Sequence, residues 1–202
     1  MNYNKIYKKT KDVWGRNLNK LLQIVWKKVE SGCVFLDLGC GQGRDSLFMA
    51  RKGFNVVAVD ASTEGIDSLN LAAKKYNLDI RIACQDIKNF KIEKDNYTII
   101  NIFNTLHFLE KKDALKIIEK VKKNLKQGGF VAINDFTTQD PLFEKERNKT
   151  KGFFQPQELS KLFSNFSIVL YRESSVADPG HSGFEQSHCH QIVELIAQKA
   201  SK

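Results

Sequence analysis

From residue 34 onward, short runs of apolar, often β-branched residues alternate with amphipathic stretches of helical length. Runs at 34–38, 56–60, 80–84, 97–103, 130–135, 167–173 and 190–198 have the length and composition of strands. Helical patterns fall at 17–29, 45–52, 62–76, 112–125 and 156–163, with Ser62 placed to cap the third and Gly128-Gly129 to stop the fourth. Strands separated by helix-length crossovers predict an α/β fold built on one mostly parallel sheet of seven strands, with helices on both faces.

The stretch 174–187 contains Pro179, Gly180 and Gly183 and no helical repeat, so the last strand is expected to run antiparallel to its predecessor. Its first residues then lie beside the carboxyl ends of the parallel strands, where open α/β sheets bind ligands. The polar stretch 137–154 reads as a loop or insertion after the fifth strand, placed to act as a lid.

At 202 residues with 42% hydrophobic content, the chain can bury one sizeable core and is short for two, so a single domain over 1–202 is expected. No run is apolar and long enough for a signal peptide or a membrane span, and a cytoplasmic protein is expected. Cys33, Cys40, Cys84 and Cys189 form no C-x-x-C pair and fit reduced thiols. The net charge of +9 admits a nucleic-acid partner, yet the lysines scatter over helix faces, as at Lys116, Lys120, Lys122 and Lys123. No arginine-aromatic stretch of the RNA-recognition type accompanies them, and a solvated surface is the simpler reading.

The segment 34–43 reads VFLDLGCGQG and passes from a buried strand straight into a helix starting near Arg44. Its glycines allow a sharp turn and close backbone approach to a ligand, and the free N–H groups of the helix start suit an anionic group. A dinucleotide fingerprint needs glycine at position 44, which is Arg44, so a nicotinamide cofactor is disfavoured. Asp60, ending the strand VVAVD, can accept hydrogen bonds from both hydroxyls of a ribose, or cap a turn. Neither G-x-S-x-G nor G-K-[ST] occurs, which sets aside serine hydrolases of that type and P-loop nucleotidases.

The spacing D-x-G-x-G-x-G from Asp37 to Gly43 resembles the first motif of class I S-adenosylmethionine-dependent methyltransferases, and INIFNTLHFL at 100–109 resembles their fourth. The segments 43–54 and 106–109 are most similar to the small tellurite-resistance-type methyltransferases, a resemblance that covers nearly the whole chain and is strongest over 34–125. It implies a Rossmann-like fold and S-adenosylmethionine as cofactor, with S-adenosylhomocysteine as product. Cofactor contacts are then expected at Asp37, Gly39, Gly41, Gly43, Arg44, Asp60, Ala61, Asp86, Ile87 and Asn104. In this family the loop faces the methionine part, the carboxylate after the third strand faces the adenine, and carbonyls after the fourth hold the ammonium. Residues 1–30 are expected to form a helical cap over the cofactor, in which Tyr3, Tyr7 and Trp14 line the site or pack on the sheet.

Three of the four histidines fall in HSGFEQSHCH at 181–190. In a strand His188 and His190 share a face with Cα atoms ~6.5 Å apart, close enough to share an anion, a nucleophile or a metal. A zinc site would need further ligands, for which His181 and Cys189 are the candidates, but Cys189 points to the opposite face and no metal is expected. His188, His190 and His107 are the candidate bases, His107 having a structural reading beside it. The family resemblance implies a basic side chain after the histidine pair, where this chain has Gln191, which weakens the case for a tellurium or selenium oxyanion. The expected activity is methyl transfer to a small molecule, such as a thiol or a chalcogen oxyanion. The alternatives are an RNA or protein acceptor, and a regulatory protein that binds the cofactor without turnover.

Overall fold

The computed structural model describes residues 3–145, 151–180 and 186–201. Seven strands, β1 (Val34–Leu38), β2 (Asn55–Asp60), β3 (Ile80–Cys84), β4 (Ile99–Phe103), β5 (Phe130–Phe136), β6 (Ser167–Asp178) and β7 (His188–Gln198), form one sheet in the order β3-β2-β1-β4-β5-β7-β6. Only β7 runs against the others, inserted between β5 and β6. The sheet is therefore Rossmann-like, as expected, and its order reverses between β1 and β4. At such a switch point the crossovers leave in opposite directions and open a crevice at the strand carboxyl ends.

Alternate residues of each strand feed two cores. Leu36, Leu38, Val57, Val59, Ile100, Ile102, Val131 and Ile133 pack with Ile117, Ile118 and Val121 of α5 (Lys111–Asn124) and Leu159 of α7 (Glu158–Leu162). Phe35, Val56, Ile99, Phe130 and Ala132 pack on the other face with Leu21, Leu22 and Val25 of α2 (Lys20–Val25) and Met49 of α3 (Arg44–Arg51). The five inner strands are covered on both faces, which is why their runs read as largely apolar, while the edge strands β3 and β6 stay partly exposed.

Ser62 caps α4 (Thr63–Lys75), its hydroxyl accepting from the Gly65 N–H. The helix expected at 17–29 is shorter: Asn19 caps it by accepting from the Leu22 N–H, and it ends at Val25 in a 3-10 turn over Trp26–Lys28. Helix α5 stops at Asn124, before the two glycines, which instead turn the chain into β5. The patterning missed two elements. One is α1 (Tyr3–Lys9), too short for its period to show. The other is α6 (Pro141–Lys145), inside the polar stretch 137–154. That stretch is tied at both ends by isolated bridges, Thr137 with Phe154 and Glu110 with Lys151.

Candidate active site

The carboxyl ends of β1 and β4 open into a cavity of about 1390 Å³, whose wall continues along α1 to the amino end of β7. At the β1 end, the chain turns through Gly39, Cys40 and Gly41, with the N–H groups of Gly39 and Cys40 both donating to the Val59 carbonyl. Gly39 has φ +80, and a Cβ there would lie 2.1 Å from Thr105 Oγ1, so only glycine allows the loop to pass the β4 turn. Gly43 caps α3 and does not line the cavity; a Cβ there would strike Leu69. A cofactor contact was expected of it.

Against the loop lies a largely buried polar network whose residues also border the cavity. Asp37 accepts from Ser46 Oγ at 2.6 Å and from Asn101 Nδ2 at 2.8 Å. Asp45 accepts from the Asn19 N–H, Asn19 Nδ2 and the Arg44 guanidinium. Asn19 Nδ2 also reaches Asn101 Oδ1 at 3.2 Å, joining α2, α3, β1 and β4. Burial, and then the neighbouring Asp45 carboxylate, push the Asp37 carboxyl well above the ordinary range, against the pull of its hydrogen bonds. Sequence reasoning singled out Asp37 and Arg44 but missed Asn19, Asp45 and Asn101, though an asparagine within the apolar run of β4 is itself a signal.

Asp60 ends β2 beside the loop. Its Oδ2 accepts from the Gly41 N–H at 2.7 Å and its Oδ1 from the Ser62 N–H at 2.8 Å. Burial raises its carboxyl, and these two donors with the Ala61 N–H oppose the rise. Ala61, Asp86 and Ile87 line the same wall, Asp86 half-buried and paired with Lys88 at 3.2 Å. Asn104, at the end of β4, has φ +49 and a buried Oδ1 with no hydrogen-bond partner among the described residues. A buried amide oxygen without a partner is costly, and this one borders the cavity.

The N-terminal segment supplies aromatic rings. Tyr3 packs within 5.4 Å of Tyr7, 6.3 Å of Trp14 and 5.2 Å of Phe108, measured between centroids, and all four line the cavity. Trp14 donates from its indole to the Tyr7 hydroxyl and is 39% exposed. Burial, then Asp135 and Asp60, push the Tyr3 phenol up to about 12, so it stays neutral.

At the far end stand the histidines. His107 Nδ1 lies 2.6 Å from Asp135 Oδ1, and the buried Asp135 also accepts from the Thr105, Leu106 and Phe136 N–H groups. An acceptor-only carboxylate there places a proton on Nδ1. His190 lines the cavity, its Nδ1 3.0 Å from the buried Asp140, which also takes the Gln191 N–H. His188 does not line it, but its Nε2 lies 3.0 Å from that of His190. Cys189 is exposed and opposite Ala177, and His181 lies outside the described residues. The carboxylates Asp135, Asp140 and Asp178 escaped sequence reasoning. Asp135 ends a parallel strand and was findable; Asp140 and Asp178 meet the histidines only through tertiary pairing.

Among the described residues no helix is long and apolar enough to cross a membrane. The chain matches the family described as "Tellurite resistance protein TehB" over residues 5–178. A probable S-adenosyl-L-methionine-dependent methyltransferase TehB of Haemophilus influenzae is 31% identical over 148 residues, 73% of this chain and 50% of that protein. A carboxy-S-adenosyl-L-methionine synthase of Vibrio vulnificus is 30% identical over 172 residues, 82% of this chain and 61% of that one. The crystal structure of TehB from Haemophilus influenzae superposes with a TM-score of 0.78 at 24% identity, over 98% of this chain and 67% of that one. The chain thus spans about half the length of the TehB relative it matches in sequence. A match running from α1 to the end of β6, on a sheet of this order with this glycine loop, makes the chain a member of the TehB family.

Proposed function

We propose that the chain transfers the methyl group of S-adenosylmethionine to a small anionic acceptor, held between the glycine loop and the histidines of β7. The observation that supports this reading is the continuity of one cavity from Gly39, Gly41 and Asp60 to His107 and His190. A donor at one end and an acceptor at the other would meet within it, where fixed placement is the main source of rate.

The residues present fit the methyl donor. Each carboxylate oxygen of Asp60 holds one N–H and keeps further lone pairs for ribose hydroxyls. The buried Asn104 Oδ1 is an acceptor suited to an ammonium. The Tyr3, Trp14 and Phe108 rings suit a sulfonium, being aromatic faces beside a positive charge. S-adenosylmethionine supplies the electrophilic methyl group. Residues 3–19 cover the donor and exclude water, in the role expected of a cap over 1–30. Asp86 and Ile87 face its base, while Asp37, with Arg44 and Asp45, stiffens the loop.

At the acceptor end His107, oriented by Asp135, takes a proton from an acceptor that carries one, and His188 with His190 holds its charge. Lys151 and Arg172 line this end, each paired with a carboxylate, Glu110 and Glu194, and the chain has Gln191 after the histidine pair. Residues 137–143 border this end, with Asp140 pinning them to β7. None of Lys116, Lys120, Lys122 and Lys123 lines the cavity, which favours a small acceptor over RNA or protein. The carboxy-S-adenosyl-L-methionine synthases among its relatives, named for a small-molecule product, favour it too.

Calorimetric titration with S-adenosylmethionine, S-adenosylhomocysteine and NAD, followed by a screen of thiols, tellurite, selenite and small amines, tests the proposal. Binding of both sulfur nucleotides without NAD, and methylation of one small acceptor, is the expected result. Cofactor binding with no turnover on any small acceptor would favour the regulatory reading, and salt-sensitive RNA binding with RNA methylation the nucleic-acid one.

A further inference from the structure

The hydrogen bonds of the β7 histidines leave an electrostatic problem that a cation solves. His188 Nδ1 lies 2.9 Å from the Gln186 carbonyl, which can only accept, so that nitrogen carries its proton. His190 Nδ1 faces Asp140, whose oxygens already accept the N–H groups of Gln191 and Leu142, so it too is a donor. Both Nε2 atoms then present lone pairs, and they point at each other across 3.0 Å. Two lone pairs at that distance repel unless positive charge sits between them.

The third group of the cluster is a carboxylate. Asp178 is the cross-strand partner of His188, and its Oδ2 lies 3.9 Å from His190 Nε2. One ligand atom from each of Asp178, His188 and His190 falls within 4.8 Å of the others. Tetrahedral coordination at ~2.0–2.1 Å separates its ligands by roughly 3.3 Å, so small side-chain shifts would close the set on one ion. Each prospective ligand is also oriented from outside: His190 by Asp140, His188 by the Gln186 carbonyl, and Asp178 by the Gly180 N–H on its Oδ1 at 2.7 Å. Histidines that bind metals characteristically donate their second N–H to a carboxylate or a backbone carbonyl, and both arrangements are present here.

We infer that Asp178, His188 and His190 form a binding site for a divalent zinc-class cation at the edge of the cavity. Two histidines and a carboxylate are a ligand set that zinc takes in catalytic sites. His190 and Asp178 line the cavity that also holds Asp60 and His107. The bound ion would hold an anionic acceptor opposite the methyl donor, a role that rests on the proposed function, whereas metal binding itself does not. Expectation from sequence ran against a metal because Cys189 and His181 were weighed as the missing ligands. The register of β6 against β7 instead brings up Asp178.

The test uses the full chain, treated with chelator and titrated with zinc sulfate by calorimetry, with cobalt(II) as a spectroscopic probe. The expected result is about one zinc per chain, tenfold or more weaker binding in His188→Ala and Asp178→Ala, and intense visible absorption of the cobalt form. Binding of S-adenosylmethionine by both variants, unchanged from wild type, shows that they are folded. Zinc affinity no tighter in wild type than in the variants would overturn the site. So would a metal-free ring-proton resonance shared by the two histidines and undisturbed by zinc, which would place a proton between them instead. Wild-type binding of S-adenosylmethionine alongside absent zinc binding would sink the metal and leave the proposed function standing.

Discussion

The two ends of the cavity are built by different means. At the glycine-loop end the backbone turn is local, Gly39, Gly41, Arg44 and Asp45 lying within one strand–turn–helix and Asp60 closing the next strand, although Asn19, Asn101 and Asn104 reach it from elsewhere in the chain. At the acceptor end the parts are brought from afar, His107 to Asp135 across 28 residues and His190 to Asp140 across 50. A backbone turn that must pass a ligand is specified locally, whereas a side-chain constellation for one acceptor is assembled by strand register. Donor binding is thereby separable from acceptor chemistry, and variants at each end should fail in different ways.

The largest effect is expected at the loop. Gly39→Val should destabilise the fold by about 3 kcal/mol or more, combining left-handed strain with the overlap on Thr105, and should abolish binding of S-adenosylmethionine. Gly32 has φ +83 but nothing within 4 Å of its Cβ position, so Gly32→Ala should cost only the strain, about 1–2 kcal/mol. Equal melting curves for the two variants would refute the clash. At the other end, His107→Gln should lower turnover on the identified acceptor by roughly 10²–10⁴-fold and leave donor affinity unchanged. Full turnover in that variant would make His107 a core residue held by Asp135, and the separation of the two ends would lose its acceptor-side support.

The same contrast decides what could be read in advance. The inner strands β1, β2, β4, β5 and β7 were legible because both their faces are covered, so the buried run is largely apolar. The edge strands β3 and β6 were legible from shorter apolar runs although they stay partly exposed. The glycine loop was legible as motif, and of its glycines Gly39 and Gly41 line the cavity while Gly43 packs where a Cβ would meet Leu69. His188 and His190 were visible as an i, i+2 pair, but their carboxylates were not. Asp140 sits in a polar stretch that reads as a loop, and Asp178 lies in β6 beyond its expected end at 173. Seven amphipathic or apolar segments announce a sheet; no local pattern announces which carboxylate will face which imidazole.

Acidity separates the ends further. Asp37 binds its proton more tightly in the folded chain than in the unfolded one, because burial and Asp45 disfavour its charge. The stabilisation this gives is therefore complete below the ordinary carboxylate range and is lost as pH rises through the raised value toward neutrality. Between pH 5 and pH 8 the ligand-free protein should lose on the order of 2 kcal/mol through this group. Asp37→Asn, which keeps shape and hydrogen bonding without the charge, should show a flatter dependence of melting temperature on pH. Parallel profiles for the two proteins would show that Asp37 does not control the loop's stability.

The smallest effect is the most discriminating. Asp60→Ala should weaken S-adenosylmethionine by about 1–3 kcal/mol, since two hydroxyls lose a charged acceptor. That loss has two sources, because the same carboxylate holds the Gly41 N–H, and removing it loosens the loop as well as the ribose contact. S-adenosylhomocysteine lacking its 2′-hydroxyl separates them. If Asp60 binds the ribose, removing that hydroxyl costs affinity in wild type and almost none in Asp60→Ala, the two changes being coupled through one interaction. If Asp60 only holds the loop, the hydroxyl is worth the same in both proteins and the losses add. Additivity would leave Asp60 as a brace for Gly41 and send the search for the ribose acceptor elsewhere on the wall, whereas coupling would fix the donor's orientation and with it the direction in which the methyl group faces the histidines.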